Sequence, residues 1–149
     1  MDLSGKTVLI TGASSGIGKE TAILLSRLGA RLILVSRNTD KLNEVLKKLE
    51  GKDHSARPFD LNNIAEIDPF IRKITSDNGK INGFVHSAGI STMRPIKMTS
   101  YDFLHQIMTL NFYSFVELAR SLGKKTSSED GASFIAVSSV SSVKGNISQ

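Results

Sequence analysis

Cysteine and tryptophan are absent from the 149 residues, and proline occurs only three times. Without cysteine there are no disulfides, no thiolate nucleophile and no cysteine-held metal centre. The three histidines, His54, His86 and His105, show no metal-ligand spacing, so no metal chemistry is expected. Long apolar runs are missing too. No stretch reaches the roughly 20 residues that span a bilayer, and Met1 to Lys6 lack the charged-then-apolar order of a secretory signal. A cytoplasmic protein without a membrane partner is expected. The net charge is +5, but the basic residues are dispersed, the densest groups being Lys47-Lys48 and Lys124-Lys125. That spacing suits solvated helix ends and does not point to nucleic acid, while a mildly positive field suits one small anionic ligand.

What the chain does carry is an alternation of strand-like and helix-like segments in a composition that is 40% hydrophobic, enough for one domain over residues 1–149. Strands are expected at Lys6 to Ile10, Arg31 to Val35, Ser55 to Phe59, Ile81 to Val85 and Ser133 to Val137. Between them a helix runs from Gly16 to Leu28 and stops at Gly29, and a second presents Leu42, Val45, Leu46 and Leu49 on one face before Gly51. A third helix starts at Asp68-Pro69, read as a cap followed by proline at the first helical position. A long helix covers Ser100 to Leu122, with Thr99 and Asp102 spaced like a capping box. Repeated strand–helix units of this length predict a parallel sheet covered on both faces, with right-handed crossovers.

The most telling segment is Thr11-Gly12-Ala13-Ser14-Ser15-Gly16-Ile17-Gly18, placed where the apolar run Thr7 to Ile10 turns into a helix. A strand-to-helix turn needs glycine where φ is positive or where a ligand touches bare backbone, and the new helix offers unpaired N–H groups and a positive dipole end. A pyrophosphate fits there. Two other glycine patterns fail on spelling. A P-loop would require glycine at position 13 and serine or threonine at position 20, where Ala13 and Glu20 stand. The Gly-x-Gly-x-x-Gly spacing fails because the order here is Gly12-x-x-x-Gly16-x-Gly18. Taken alone, the segment can also be a tight turn without a ligand.

The spelling resembles the Thr-Gly-x-x-x-Gly-Ile-Gly signature of the short-chain dehydrogenase/reductase family, and the resemblance extends from Lys6 over the rest of the chain. It implies a three-layer Rossmann-type α/β fold, a doubly wound parallel sheet of about five strands in the order 3-2-1-4-5, incomplete against the family's seven. It also implies a nicotinamide cofactor held by Thr11, Gly12, Ser14, Ser15, Gly16, Ile17 and Gly18. At the end of the second strand, Ser36 stands where an acid would hold ribose hydroxyls, and Arg37 follows with a guanidinium suited to a phosphate. NADP(H) is therefore preferred and NAD(H) possible, with a solvated loop arginine as the alternative. Asp60 matches the family's aspartate beside the adenine, its alternative being a plain strand-end turn. In Val85-His86-Ser87-Ala88-Gly89 only Ala88 and Gly89 match the family's Asn-Asn-Ala-Gly, and His86 reads as a structural hydrogen-bonder.

Of the family's catalytic Asn, Ser, Tyr and Lys, two are recognisable. Asn111 corresponds to the residue that holds a relay water, and an asparagine inside a helix needs local work such as opening the backbone ladder. Ser139, with Ser138 as alternative in a turn shared with Ser141 and Ser142, would hydrogen-bond a substrate carbonyl. The Tyr-x-x-x-Lys motif is absent, because His105 and Glu117 stand four residues after Tyr101 and Tyr113. The family pattern places it just past Gln149, so the chain reads as a truncated enzyme resembling most the 3-oxoacyl-thioester reductases. Two functions stay open: an NADP(H)-dependent oxidoreductase acting on a carbonyl or secondary alcohol, and a nucleotide-binding module without turnover. The resemblance further implies homo-oligomers through the long helix bearing Asn111.

Overall fold

Apolar residues without interruption define the centre of the fold. Thr7–Thr11 (β1) is buried at every position, and the middle of Arg31–Ser36 (β2), from Leu32 to Val35, is too. Strands with both faces covered have no polar alternation, which is what a parallel sheet between two helical layers demands. The computed structural model of the protein describes residues 1–92 and 94–139. Its sheet has the order β3-β2-β1-β4-β5, all pairs parallel, with β3 at Ser55–Pro58, β4 at Ile81–His86 and β5 at Ser128–Ala136. β1 pairs on one side with β2, Ile10 opposite Leu34, and on the other with β4, Ile10 opposite Val85.

Alternate residues of the central strands feed two cores. Ile10, Leu32 and Leu34 pack with Ala22 of Gly16–Arg27 (α1) and with Leu42 and Val45 of Thr39–Leu46 (α2). Leu9, Ile33 and Phe84 pack on the other face against Ile71 and Ile74 of Ile67–Asn78 (α3) and Leu118 and Leu122 of Ser114–Leu122 (α5). The direction in which strands are added reverses between β1 and β4, since β2 and β3 build outward one way and β4 and β5 the other. In such sheets the crevice beyond the carboxyl ends at this switch is where ligands bind.

Several helix boundaries differ from the sequence reading. α3 is entered through a 3-10 turn at Ile64–Glu66 and has Glu66, not Asp68, at its cap. Asp68 works across helices instead, accepting hydrogen bonds from Ser121 Oγ at 2.9 Å and from Lys124 Nζ. Those donors hold its carboxyl down at about 2, below the usual 3.8. α2 ends at Leu46, short of Leu49, which still packs on the second core from the following turn. The long helix is capped by Ser100, whose Oγ accepts from Phe103 N at 3.3 Å, while the Thr99 hydroxyl donates to Pro95 O. It is also not one helix. Tyr101–Met108 (α4) passes through a π-helical turn at Thr109–Tyr113 before α5, and Asn111 sits at the middle of that turn. β5 begins five residues before the expected Ser133 and lies at the sheet's open edge, with Ile135 half exposed.

Candidate functional site

The turn after β1 passes so close to the end of β4 that it excludes side chains. Gly12 has φ +68°, and a Cβ built on it would stand 2.7 Å from Ala88 N and from the carbonyl carbon and oxygen of Ser87. A Cβ on Gly18 would meet Gly12 O and Ser87 Oγ, each at 2.5 Å. These two positions admit only glycine, for a steric reason internal to the fold. Gly16, by contrast, has φ +51° with open space beside it, on the side where α1 begins. The first turn of α1 receives no side-chain hydrogen bond from its cap, Ser15, whereas Asn38 caps α2 by accepting from Lys41 N at 2.9 Å. One helix start is closed by its own sequence and the other is left open to an outside acceptor.

A cleft of about 490 Å³ opens above this corner. Its floor is Gly12, Ser14, Ser15, Gly16 and Ile17, and its far walls come from the ends of three strands: Ser36 and Arg37 after β2, Asp60 after β3, and Ala88 and Gly89 after β4. Arg37 is exposed. Asp60 Oδ1 accepts from both Asn62 N at 3.0 Å and Asn62 Nδ2 at 2.9 Å, which fixes the carboxylate in the cleft wall after β3. Behind the wall, Thr11 is buried and its Oγ1 lies 2.9 Å from His86 Nδ1. Burial pushes the imidazole from 6.5 to about 4, so it is neutral near pH 7.

The segment after β4 is clamped from the opposite side. Asn111 Oδ1 accepts from Ile90 N at 2.8 Å, and its Nδ2 donates to Ile90 O at 2.8 Å. Both polar atoms of the side chain are thus committed to one backbone unit, and a Cβ on Gly89 would stand 3.2 Å from Asn111 Oδ1. The π turn is the device that points Asn111 this way, since one extra residue in the helical ladder rotates the side chain off the regular surface. Asn111→Ala is expected to cost about 1–3 kcal/mol, two hydrogen bonds' worth, and to raise amide exchange at Ile90. Unchanged exchange there would show that the clamp does not hold in solution.

The short chain dehydrogenase family model matches residues 6–149. The chain belongs to the short-chain dehydrogenase family. The dehydrogenase/reductase SDR family member 7B of Danio rerio is 33% identical over 155 residues, taking in 99% of this chain and 49% of that protein. Retinol dehydrogenase 13 of Homo sapiens is 32% identical over 149 residues, 97% of this chain and 44% of that protein. A short chain dehydrogenase from Escherichia coli CFT073, solved in complex with NADPH, superposes with a TM-score of 0.87 at 26% identity, over 97% of this chain and 62% of that one. The chain spans about half the length of the curated relatives it matches.

For a short-chain dehydrogenase, whose family uses nicotinamide cofactors, the cleft gathers ten of the residues singled out in sequence: Gly12, Ser14, Ser15, Gly16, Ile17, Ser36, Arg37, Asp60, Ala88 and Gly89. Four others stand outside its lining. Thr11 and Gly18 are buried beneath it, Asn111 holds its rim, and Ser139 lies three residues beyond the end of β5. Ser141 and Ser142 lie outside the described residues. The reading of His86 as a structural hydrogen-bonder agrees with its bond to Thr11, while the helix expected to run unbroken past Asn111 opens there into a π turn. Sequence reasoning passed over Asn38, Lys41, Phe59, Leu61, Ser87, Ile90 and Leu110. Phe59 and Leu61 flank Asp60 and were within reach; Leu110 and Ile90 enter only through the π turn. No group of metal-ligating side chains occurs among the described residues, and no described helix is long and apolar enough to cross a membrane.

Proposed function

We propose that residues 1–149 are the cofactor-binding domain of an NADP(H)-dependent oxidoreductase that interconverts a carbonyl compound and its alcohol. The observation that carries this reading is the pairing of a sterically obligatory glycine corner with an uncapped α1 start: the fold excludes side chains there and leaves backbone donors for an anion. The groups present fit the cofactor. Gly12, Ser14, Ser15 and Gly16 would cradle its pyrophosphate, Asp60 would lie beside the adenine, and Arg37 would grip a 2′-phosphate that an acid at position 36 would have repelled. When bound, the cofactor supplies or accepts a hydride.

The chain's own residues then orient and protect. Asn111 holds the Ala88 to Ile90 loop in register with the glycine corner, Leu110 keeps water off the inner wall, and Ser139 donates a hydrogen bond to the substrate carbonyl oxygen. Proton transfer requires a Tyr-x-x-x-Lys pair, and neither Tyr101 nor Tyr113 has a lysine four residues on. The second reading is a nucleotide-binding module without turnover. Assembly into homo-oligomers through α4 and α5 belongs to the first reading and is supported by the exposure of Tyr101, Leu104, Met108, Phe112 and Val116.

Titration of the protein with NADPH and NADH tests the cofactor assignment, and NADPH oxidation against ketones and 3-oxoacyl thioesters by a polypeptide that includes a Tyr-x-x-x-Lys motif tests the reaction. Tighter NADPH binding with turnover supports the first reading, and binding that never yields turnover supports the second. Arg37→Asp is expected to weaken NADPH at least about tenfold while leaving NADH no worse, because a carboxylate there repels the phosphate and accepts ribose hydroxyls. An unmoved ratio of the two dissociation constants would overturn the role of Arg37.

A further inference from the structure

Three strand ends lie side by side at the carboxyl edge of the sheet. Thr11 is the register partner of His86, and His86 that of Ala136. Each leads into a different piece of the site: Gly12 follows Thr11, the wall from Ser87 to Ile90 follows His86, and Ser139 comes three residues after Ala136. His86 stands in the middle and is tied to both neighbours. Its Nδ1 lies 2.9 Å from Thr11 Oγ1, and its carbonyl accepts from Val137 N at 2.9 Å. Its ring also tilts against Phe115 of α5, a turn beyond Asn111, with centroids 5.5 Å apart.

As a core residue this imidazole is a poor choice. It is 3% exposed, its Nε2 has no hydrogen-bond partner, and its ring neighbours are Phe84 and Phe115. A buried nitrogen left unpaired costs free energy that a hydrocarbon ring would not. The bond to Thr11 is the ring's one polar contact, and β1 and β4 are aligned there without it, since Ser87 N donates to Thr11 O at 3.2 Å. What the side-chain bond adds is a fixed link between the residue that opens the glycine corner and the strand that carries Val137. There is no slack on the way, because Gly12 already abuts the Ser87–Ala88 peptide, and close-packed interiors pass displacements on instead of absorbing them.

We infer that His86 is a positioning residue: through Thr11 on one side and Val137 on the other, it sets the Ser139 segment relative to the glycine corner, so that filling the cleft is felt on β5. The inference rests on the NADP(H) reading, which supplies the occupant. Neither His86 nor Val137 lines the cleft, whereas Gly12 does.

Amide and imidazole ¹⁵N resonances of the whole chain, followed through an NADPH titration, test this. In the wild type, saturation should shift Gly12 and also His86 Nδ1 and the Val137 amide. Thr11→Val keeps the shape and removes the hydroxyl. NADPH should then bind about tenfold more weakly, one hydrogen bond's worth, and at saturation Gly12 should still shift while Val137 does not. His86→Asn should retain the Val137 response. His86→Phe should lose it even with a urea midpoint equal to that of the wild type, a split that a purely structural role would not produce. A Val137 shift that survives Thr11→Val, or is missing from a wild type in which Gly12 responds, overturns the proposal and leaves the NADP(H) reading standing. A wild type in which Gly12 does not respond either overturns both.

Discussion

Replacing Gly12 with alanine is expected to lower stability by about 2–5 kcal/mol and to abolish nucleotide binding. Two independent effects add. The residue adopts φ +68°, and a side chain in that left-handed region costs about 1–2 kcal/mol. Its Cβ would also lie 2.7 Å from three backbone atoms of the Ser87–Ala88 peptide, none of which can rotate away. Overpacking of that kind costs about 1–3 kcal/mol or forces the strands apart. Because β1 and β4 are paired from Val8 opposite Gly83 to Thr11 opposite His86, relief at Gly12 would come from displacing the loop that forms the cleft's inner wall. Gly16→Ala is the matching control: φ there is +51° but nothing lies within 4 Å of the added carbon, so only the backbone cost of about 1–2 kcal/mol applies. Urea midpoints of the two variants, read beside NADPH titrations, check this. Equal midpoints would show that contact with the β4 loop is not the reason for glycine at position 12.

This contrast also explains what was legible from sequence and what was not. The positions of β1 and β2 followed from continuous apolar runs, since a strand buried on both faces has little other composition available. The glycine corner was readable because its conformational demand and its ligand chemistry select the same residues. Local hydrogen bonds chosen by tertiary contacts were not. Asp68 has the residue type and the following proline of a helix cap, but Ser121 of α5 and Lys124 just past its end claim its carboxylate, and the helix cap lies two residues earlier, at Glu66. Ser128 to Ala132, Ser-Glu-Asp-Gly-Ala, has no apolar pattern to mark a strand, yet enters β5 by pairing with β4 across a register shift between Ile81 and Gly83. The π turn has no local signature beyond an asparagine where a helix gains nothing from one. Its cause is the Ile90 backbone, twenty-one residues away.

Stability should fall by about 3 kcal/mol between pH 6.5 and pH 4, and His86 should account for most of the fall. The side chain is 3% exposed, edges against Phe84 and tilts against Phe115, and its Nε2 has no hydrogen-bond partner. Nothing around it compensates a positive charge, so burial lowers its pKa from 6.5 to about 4. The sign follows from linkage. In this window the unfolded chain binds a proton that the folded chain refuses, so the contribution is complete above pH 6.5 and is lost as pH falls toward 4, at up to about 1.4 kcal/mol per pH unit. Asp68 acts in a separate range, because its carboxyl is depressed from 3.8 to about 2 and its contribution is lost only below that upper value. His86→Asn keeps a polar partner for Thr11 and removes the titration. Free energies of urea unfolding measured from pH 7.5 to 4.5 should therefore slope for the wild type and lie nearly flat for His86→Asn, and a variant that kept the wild-type slope would place the acid sensitivity elsewhere in the fold.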